Sequence, residues 1–145
     1  MNEPAARITL VTLGVRDLAR STAFCEALGF RRKAKNAEGA AFFEAGGVIL
    51  SLWSPQEMAK DANIPHAEPG KFRGVSLAWN VASPGEVDAA MARATAAGAK
   101  VLRAAETVFW GGYTGVFADP DGHLWEVAHN PGFPFSEDGR LMLPD

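Results

Sequence analysis

Glu126 stands where a carboxylate could do chemistry. It lies in the stretch 116–129, VFADPDGHLWEVAH, in which two apolar runs flank Asp119-Pro120-Asp121-Gly122. Proline presets φ for the second turn position, aspartate tolerates the bend, and glycine supplies the positive φ. Two such runs around such a turn predict a β-hairpin. A carboxylate in mid-strand among apolar neighbours is costly to desolvate unless it is paired, protonated or bound to a cation. Glu126 is therefore the candidate catalytic residue, a general base whose pKa desolvation would raise, or else a ligand-anchoring acid. The plainer alternatives are a hydrogen-bonded structural carboxylate and one that points at solvent.

Other reactive side chains are less well placed. Trp110 and Tyr113 flank Gly111-Gly112, an arrangement suited to a mobile aromatic lip over a ligand, or to a bulge with core aromatics. His123 and His129 surround Glu126, but alternation along a strand sends His129 to the opposite face. His123, Trp125, Val127 and His129 read as one face packed beneath a helix, and His66 falls elsewhere. Arg16, Arg20, Arg31, Arg32 and Lys33 could form an anion site or simply a solvated face. Cys25 sits on an apolar helical stripe with no basic sequence neighbour, which favours packing.

The composition narrows the function classes. The chain has 145 residues, 48% hydrophobic and 21% charged, with a net charge of −3, as expected of an ordinary globular protein. That charge offers nucleic acid no basic field, and no apolar run is long enough for a membrane span. Residues 1–7 lack the apolar core of a signal peptide, so a cytoplasmic home is expected. A single cysteine excludes an internal disulfide and a thiolate zinc cluster. Four tryptophans and nine phenylalanines could fill the core or line a cavity for a flat, apolar ligand.

The elements that must position these residues repeat. Residues 8–15 predict a strand, Asp17 caps a helix running to Leu28, Gly29 ends it, and strands follow at about 30–35, 40–44 and 48–53. Residues 54–72 are polar and hold three prolines, which predicts a linker with one helical turn at 56–60. A strand at 74–81 leads into the capping box Ser83-Pro84-Gly85-Glu86 and a helix to Ala97, ended by Gly98. A strand at 101–104 and the hairpin 114–129 complete the second unit, which follows the first at an offset of about 66–69 residues. The domains read as a first βαβββ module at 7–53, a linker at 54–72, a second βαβββ module at 73–131 and a tail at 132–145. Each module is too small to bury a good core alone. The fold class is α+β, two modules forming a curved mixed sheet around a central cavity with helices outside.

Val15-Arg16-Asp17-Leu18, Leu28-Gly29-Phe30 and Asp119-Pro120-Asp121-Gly122…Glu126, set on that doubled plan over about residues 7–131, resemble the vicinal oxygen chelate superfamily. Its members include glyoxalase I, extradiol dioxygenases, methylmalonyl-CoA epimerase and the fosfomycin- and bleomycin-resistance proteins. The resemblance implies a divalent-metal site of inward His and Glu residues on four strands. Here the matching positions are Leu10, Leu50 (or Ser51 if the register slips by one), Val75 and Glu126. One carboxylate among apolar side chains does not make a metal shell, so no metal and no cofactor is expected.

The expected hollow is apolar and aromatic, lined by Leu10, Thr12, Leu50, Val75, Leu77, Trp79, Trp110, Tyr113 and Glu126. Trp53 and Asn80 fall on the other parity. This chemistry suggests a metal-independent small-molecule binding protein for an aromatic or hydrophobic ligand. The alternatives are a lyase, isomerase or dioxygenase using Glu126 as acid/base or metal ligand, and a structural subunit with a filled hollow. The resemblance also implies a homodimer.

Overall fold

A computed structural model describes residues 3–145 of the chain. The first two residues of the 1–7 segment considered for a signal peptide lie outside it. The chain runs β1 (Leu10–Gly14), α1 (Leu18–Leu28), β2 (Arg31–Lys33), β3 (Ala40–Glu44), β4 (Ile49–Trp53), α2 (Pro55–Asp61), β5 (Ser76–Asn80), α3 (Pro84–Ala96), β6 (Lys100–Thr107), β7 (Tyr113–Ala118) and β8 (Leu124–His129). The doubled βαβββ plan is present, with α2 between the halves.

Both long helices begin and end on the predicted signals. The Asp17 carboxylate accepts from the Arg20 N–H at 3.1 Å. Gly29, at φ 103°, closes α1, where the Phe30 N–H donates to the Cys25 carbonyl at 3.1 Å. That left-handed conformation is open to glycine at little cost. Ser83 Oγ accepts from the Glu86 N–H at 3.2 Å, and Glu86 reaches back to the Ala82 N–H at 2.8 Å. Gly115 lets α3 lie on β7: a Cβ there would stand 2.9 Å from the Met91 sulfur and 3.2 Å from the Ala105 nitrogen. In the linker, Ser54 and Pro55 start a seven-residue helix, α2, longer than the single turn expected.

The strands form two four-stranded mixed sheets, ordered β1-β4-β3-β2 and β5-β8-β7-β6. The α+β fold of two modules with mixed sheets is as expected, and the two sheets do not close into a barrel. Edge strands β1 and β5 share no ladder among the described residues; side chains span the seam instead. His123 is within 2.8 Å of the Gly14 carbonyl through Nε2, while Arg73 approaches its Nδ1 at 2.9 Å. The Asp121 carboxylate accepts from the Arg16 N–H at 2.8 Å and the Ser21 hydroxyl at 2.7 Å.

One core serves both halves. Phe24 of α1 meets Phe117 of β7 edge-on, with centroids 6.3 Å apart. Phe117 stacks on Trp125 at 5.9 Å, and Phe30 packs against Trp125 at 5.7 Å. Cys25 belongs to this core, where burial first, then the charges of Asp119 and Glu26, push its thiol up to about 12. The native protein is expected to resist maleimide at pH 8 and to react fully once unfolded in urea; equal rates in both states would contradict this placement. The same thiol makes stability fall as pH rises from 9.0 towards about 12, because the unfolded chain loses that proton first.

Candidate functional site

Each sheet has a face turned to the helices and a face turned away, and register decides which side chains share them. In the first sheet Val11 pairs with Leu50 and Thr12 with Ser51, while Phe43 pairs with Leu50 and Phe42 with Ser51. Leu13, Phe43, Leu50 and Leu52 are buried with α1. Leu10, Thr12, Phe42, Ser51 and Trp53 therefore lie on the outer face. In the second sheet Ala78 pairs with Glu126 and Glu126 with Val116, whereas Leu77 pairs with Trp125 and Trp79 with Val127. Trp125, Val127 and Phe117 are buried with α3. Glu126, Ala78, Asn80, Ser76 and Val116 thus occupy the outer face.

The predicted lining therefore divides. Leu10, Thr12 and Glu126 lie on the outer faces, with Glu126 half-buried. Leu50, Leu77 and Trp79 do not join them. In SLAWN the bulkier alternate residues, Leu77 and Trp79, turn to the helices, where burial removes the most apolar area from water; in ILSLW it is Leu50 and Leu52 that do, leaving Ile49, Ser51 and Trp53 outward. The register at β4 is the slipped one, with Ser51 outward. Trp53 and Asn80, assigned to the other parity, are outward too. Val75 precedes β5, 63% exposed, and is out of phase with Glu126.

Tyr113 pairs with His129 and turns towards α3, where its hydroxyl donates to the Asp88 carboxylate at 2.7 Å. That hydrogen bond raises the phenol's pKa. Trp110 sits in a tight turn between β6 and β7, closed by the Val108 N–H on the Gly112 carbonyl at 2.8 Å, with its ring folded against Gly112. Neither residue borders Glu126.

Arg103, on the Glu126 face and 3.3 Å from Glu106, escaped the sequence reading. Arg103 pairs with Val116, two strands from Glu126, and donates to Thr114 Oγ1 at 2.6 Å and to the Thr114 carbonyl at 2.8 Å. Ala78, Glu126, Val116 and Arg103 thus form one row across the sheet. The bulged register of β6 hid this, because alternation cannot be counted through a bulge.

The Asp119–Gly122 turn does more than reverse the chain. Asp119 accepts from the Asp121 and His123 N–H groups, both at 3.0 Å, and from the Trp125 indole at 3.2 Å. Burial pushes its carboxyl up, against the opposing pull of His123 and these hydrogen bonds.

Leu50, Leu77 and Trp79 do meet elsewhere. With Phe30 and Trp125 they line a pocket of about 460 Å³ at one end of the seam, walled on one side by the C-terminal segment. Glu126 is not part of it; Glu44 and Arg140 supply its charged groups.

The four strands nearest the seam present Leu10, Ser51, Ser76 and Glu126 outward. That donor set is one carboxylate, two hydroxyls and a hydrocarbon, which does not fit a divalent transition metal. Among the described residues no three His, Cys, Asp or Glu side chains gather. No helix among them is long and apolar enough to cross a membrane.

The sequence model of the Glyoxalase/Bleomycin resistance protein/Dioxygenase superfamily matches residues 7–127. Among solved structures, a glyoxalase-related enzyme from Fulvimarina pelagi is 34% identical, with a TM-score of 0.87 over 97% of this chain and 100% of that one. A glyoxalase/bleomycin resistance protein/dioxygenase from Nocardioides is 30% identical, with a TM-score of 0.72 over 88% and 85%. A lactoylglutathione lyase from Agrobacterium tumefaciens is 27% identical, with a TM-score of 0.67 over 88% and 96%. No curated protein matches the chain.

Proposed function

The chain belongs to the Glyoxalase/Bleomycin resistance protein/Dioxygenase superfamily, and from that premise we propose that it is a metal-independent, cytoplasmic small-molecule binding protein. The observation that carries this reading is Glu126, half-buried between Ala78 and Val116 on a sheet face with no helix layer over it. The outer face of the first sheet is covered only at its Gly14 end, where Pro55 and Met58 of α2 lie 3.2 Å and 3.4 Å from where a Cβ would stand, and the apolar Leu10 and Ile49 left exposed call for a second layer. A second copy of the chain supplies it, so the hollow forms in a homodimer. There Thr12, Ser51, Phe42 and Trp53 offer hydroxyls and rings, and Glu126 grips the polar or cationic end of an aromatic ligand.

The test is a titration with a cationic acridine, followed by tryptophan quenching. Saturable quenching is expected, weakened about tenfold or more in Glu126→Gln, since hydrogen bonds to an ionised group are the strong ones. Light scattering should give about twice 15.4 kDa. Unchanged affinity in Glu126→Gln, or a mass of one chain, would overturn the reading.

The likeness to a lactoylglutathione lyase favours one second reading, an isomerase or lyase in which Glu126 moves a proton. Turnover of a hemithioacetal by metal-stripped protein, abolished in Glu126→Gln, would select it.

A further inference from the structure

We propose that the aromatic pocket at the seam is a binding site in its own right, bordering the Glu126 face at Ala78 and Asn80, and that its occupant is a planar molecule of two or three fused rings. It lies at the end of the seam remote from the Asp119–Gly122 turn. Phe30 forms its centre, tilted 46° to Trp79 and 45° to Trp125, with centroids 6.3 Å and 5.7 Å away. Trp125 is pinned on its other side by the stacked Phe117. The rings therefore stand in fixed positions around the empty space rather than collapsing into it.

The pocket is a cleft open to solvent, and its roughly 460 Å³ beside three aromatic rings falls in the range of small-molecule sites, which are concave and lined mostly by apolar and aromatic side chains. The chain also builds the wall on purpose-made geometry. After β8 the tail folds back on itself, with Phe135 bridged to Leu141, the Ser136 N–H on the Arg140 carbonyl at 2.8 Å and the Met142 N–H on the Pro134 carbonyl at 2.7 Å. This small hairpin puts Phe135 and Leu141 against the pocket and lays the Arg140 stem over Gly47, at 3.4 Å from where a Cβ would stand. Glu44 and Arg140 give it one charge of each sign, so the rings of the guest supply the affinity and a polar substituent of either charge can be met.

The probe is 1-aminoanthracene, whose emission rises on leaving water. One saturable site per chain is expected. Trp79→Leu, and separately the pair Phe135→Ala with Leu141→Ala, should each weaken it about tenfold or more. Arg31→Ala, on the exposed edge strand, should leave it unchanged. Phe135 and Leu141 are 36% and 37% exposed, so the tail pair decides the matter even if Trp79→Leu does not fold. Absence of a saturable rise, or equal affinity in the tail pair and the parent, would overturn the proposal. Acridine, itself three fused rings, can enter either site, so only the quenching lost in Glu126→Gln reports the Glu126 face, while 1-aminoanthracene emission lost in the tail pair and kept in Glu126→Gln reports the pocket; read this way the two sites can fail independently.

Discussion

Trp125→Ala is expected to cost about 3–5 kcal/mol, the toll of deleting a large aromatic from a core that cannot collapse around the gap. Trp125 is 4% exposed, stacks face to face on Phe117 and packs against Phe30. Its indole also donates to Asp119 Oδ2, so removal leaves a half-buried acceptor without that donor. Native stabilities are about 5–15 kcal/mol, so this one change removes a large part of the total. Urea denaturation measures it, and a shift below about 1 kcal/mol would show that the shared core is not organised around this ring. Trp125→Phe separates the two parts. It keeps a ring, loses the hydrogen bond, and should cost about 1–3 kcal/mol.

The second large effect is expected from Asp121→Ala, at about 3 kcal/mol. The Asp121 side chain is 3% exposed and lies 3.5 Å from the Arg20 guanidinium. It satisfies the Arg16 N–H and the buried Ser21 hydroxyl, both in the other half of the chain. Alanine would leave the buried Ser21 hydroxyl unmet and hand the part-buried Arg16 N–H to water. A double-mutant cycle with Ser21→Ala isolates the bond between the halves, with a coupling of about 0.5–3 kcal/mol expected. Additive losses would mean that Asp121 serves only its own turn. The outcome also bears on the binding site, because the seam aligns the two outer faces.

Some of this was legible in the residues. The alternation of strands and capped helices, the glycines after each helix and the repeat at an offset of about 66–69 residues are local signals. Local backbone chemistry obeys them whatever the tertiary context. The face beneath α3, with Trp125 and Val127, was legible for the same reason, since period-two alternation in a regular strand needs no partner to be read. Glu126 was conspicuous because an acid amid apolar residues breaks that pattern.

Face assignment was partly available and was misread at two strands. Leu77 and Trp79 between Ser76, Ala78 and Asn80 show which set the helices bury, provided bulk rather than family position sets the phase, whereas in β4 both alternate sets carry large apolar residues and bulk does not choose. Arg103 was not available, because the bulges in β6 break the count.

The sequence by itself determined the elements, their doubled order and the isolation of one carboxylate, because each depends on residues within a few positions of one another. Only the tertiary structure decided that the sheets do not close into a barrel, that Asp121 ties one half to the other, and that Leu50, Leu77 and Trp79 gather at the seam on the face opposite Glu126. These relations join residues such as Arg16 and Asp121, 105 positions apart. Which distant surfaces meet is settled by the net gain of packing them together, and no local pattern encodes that choice.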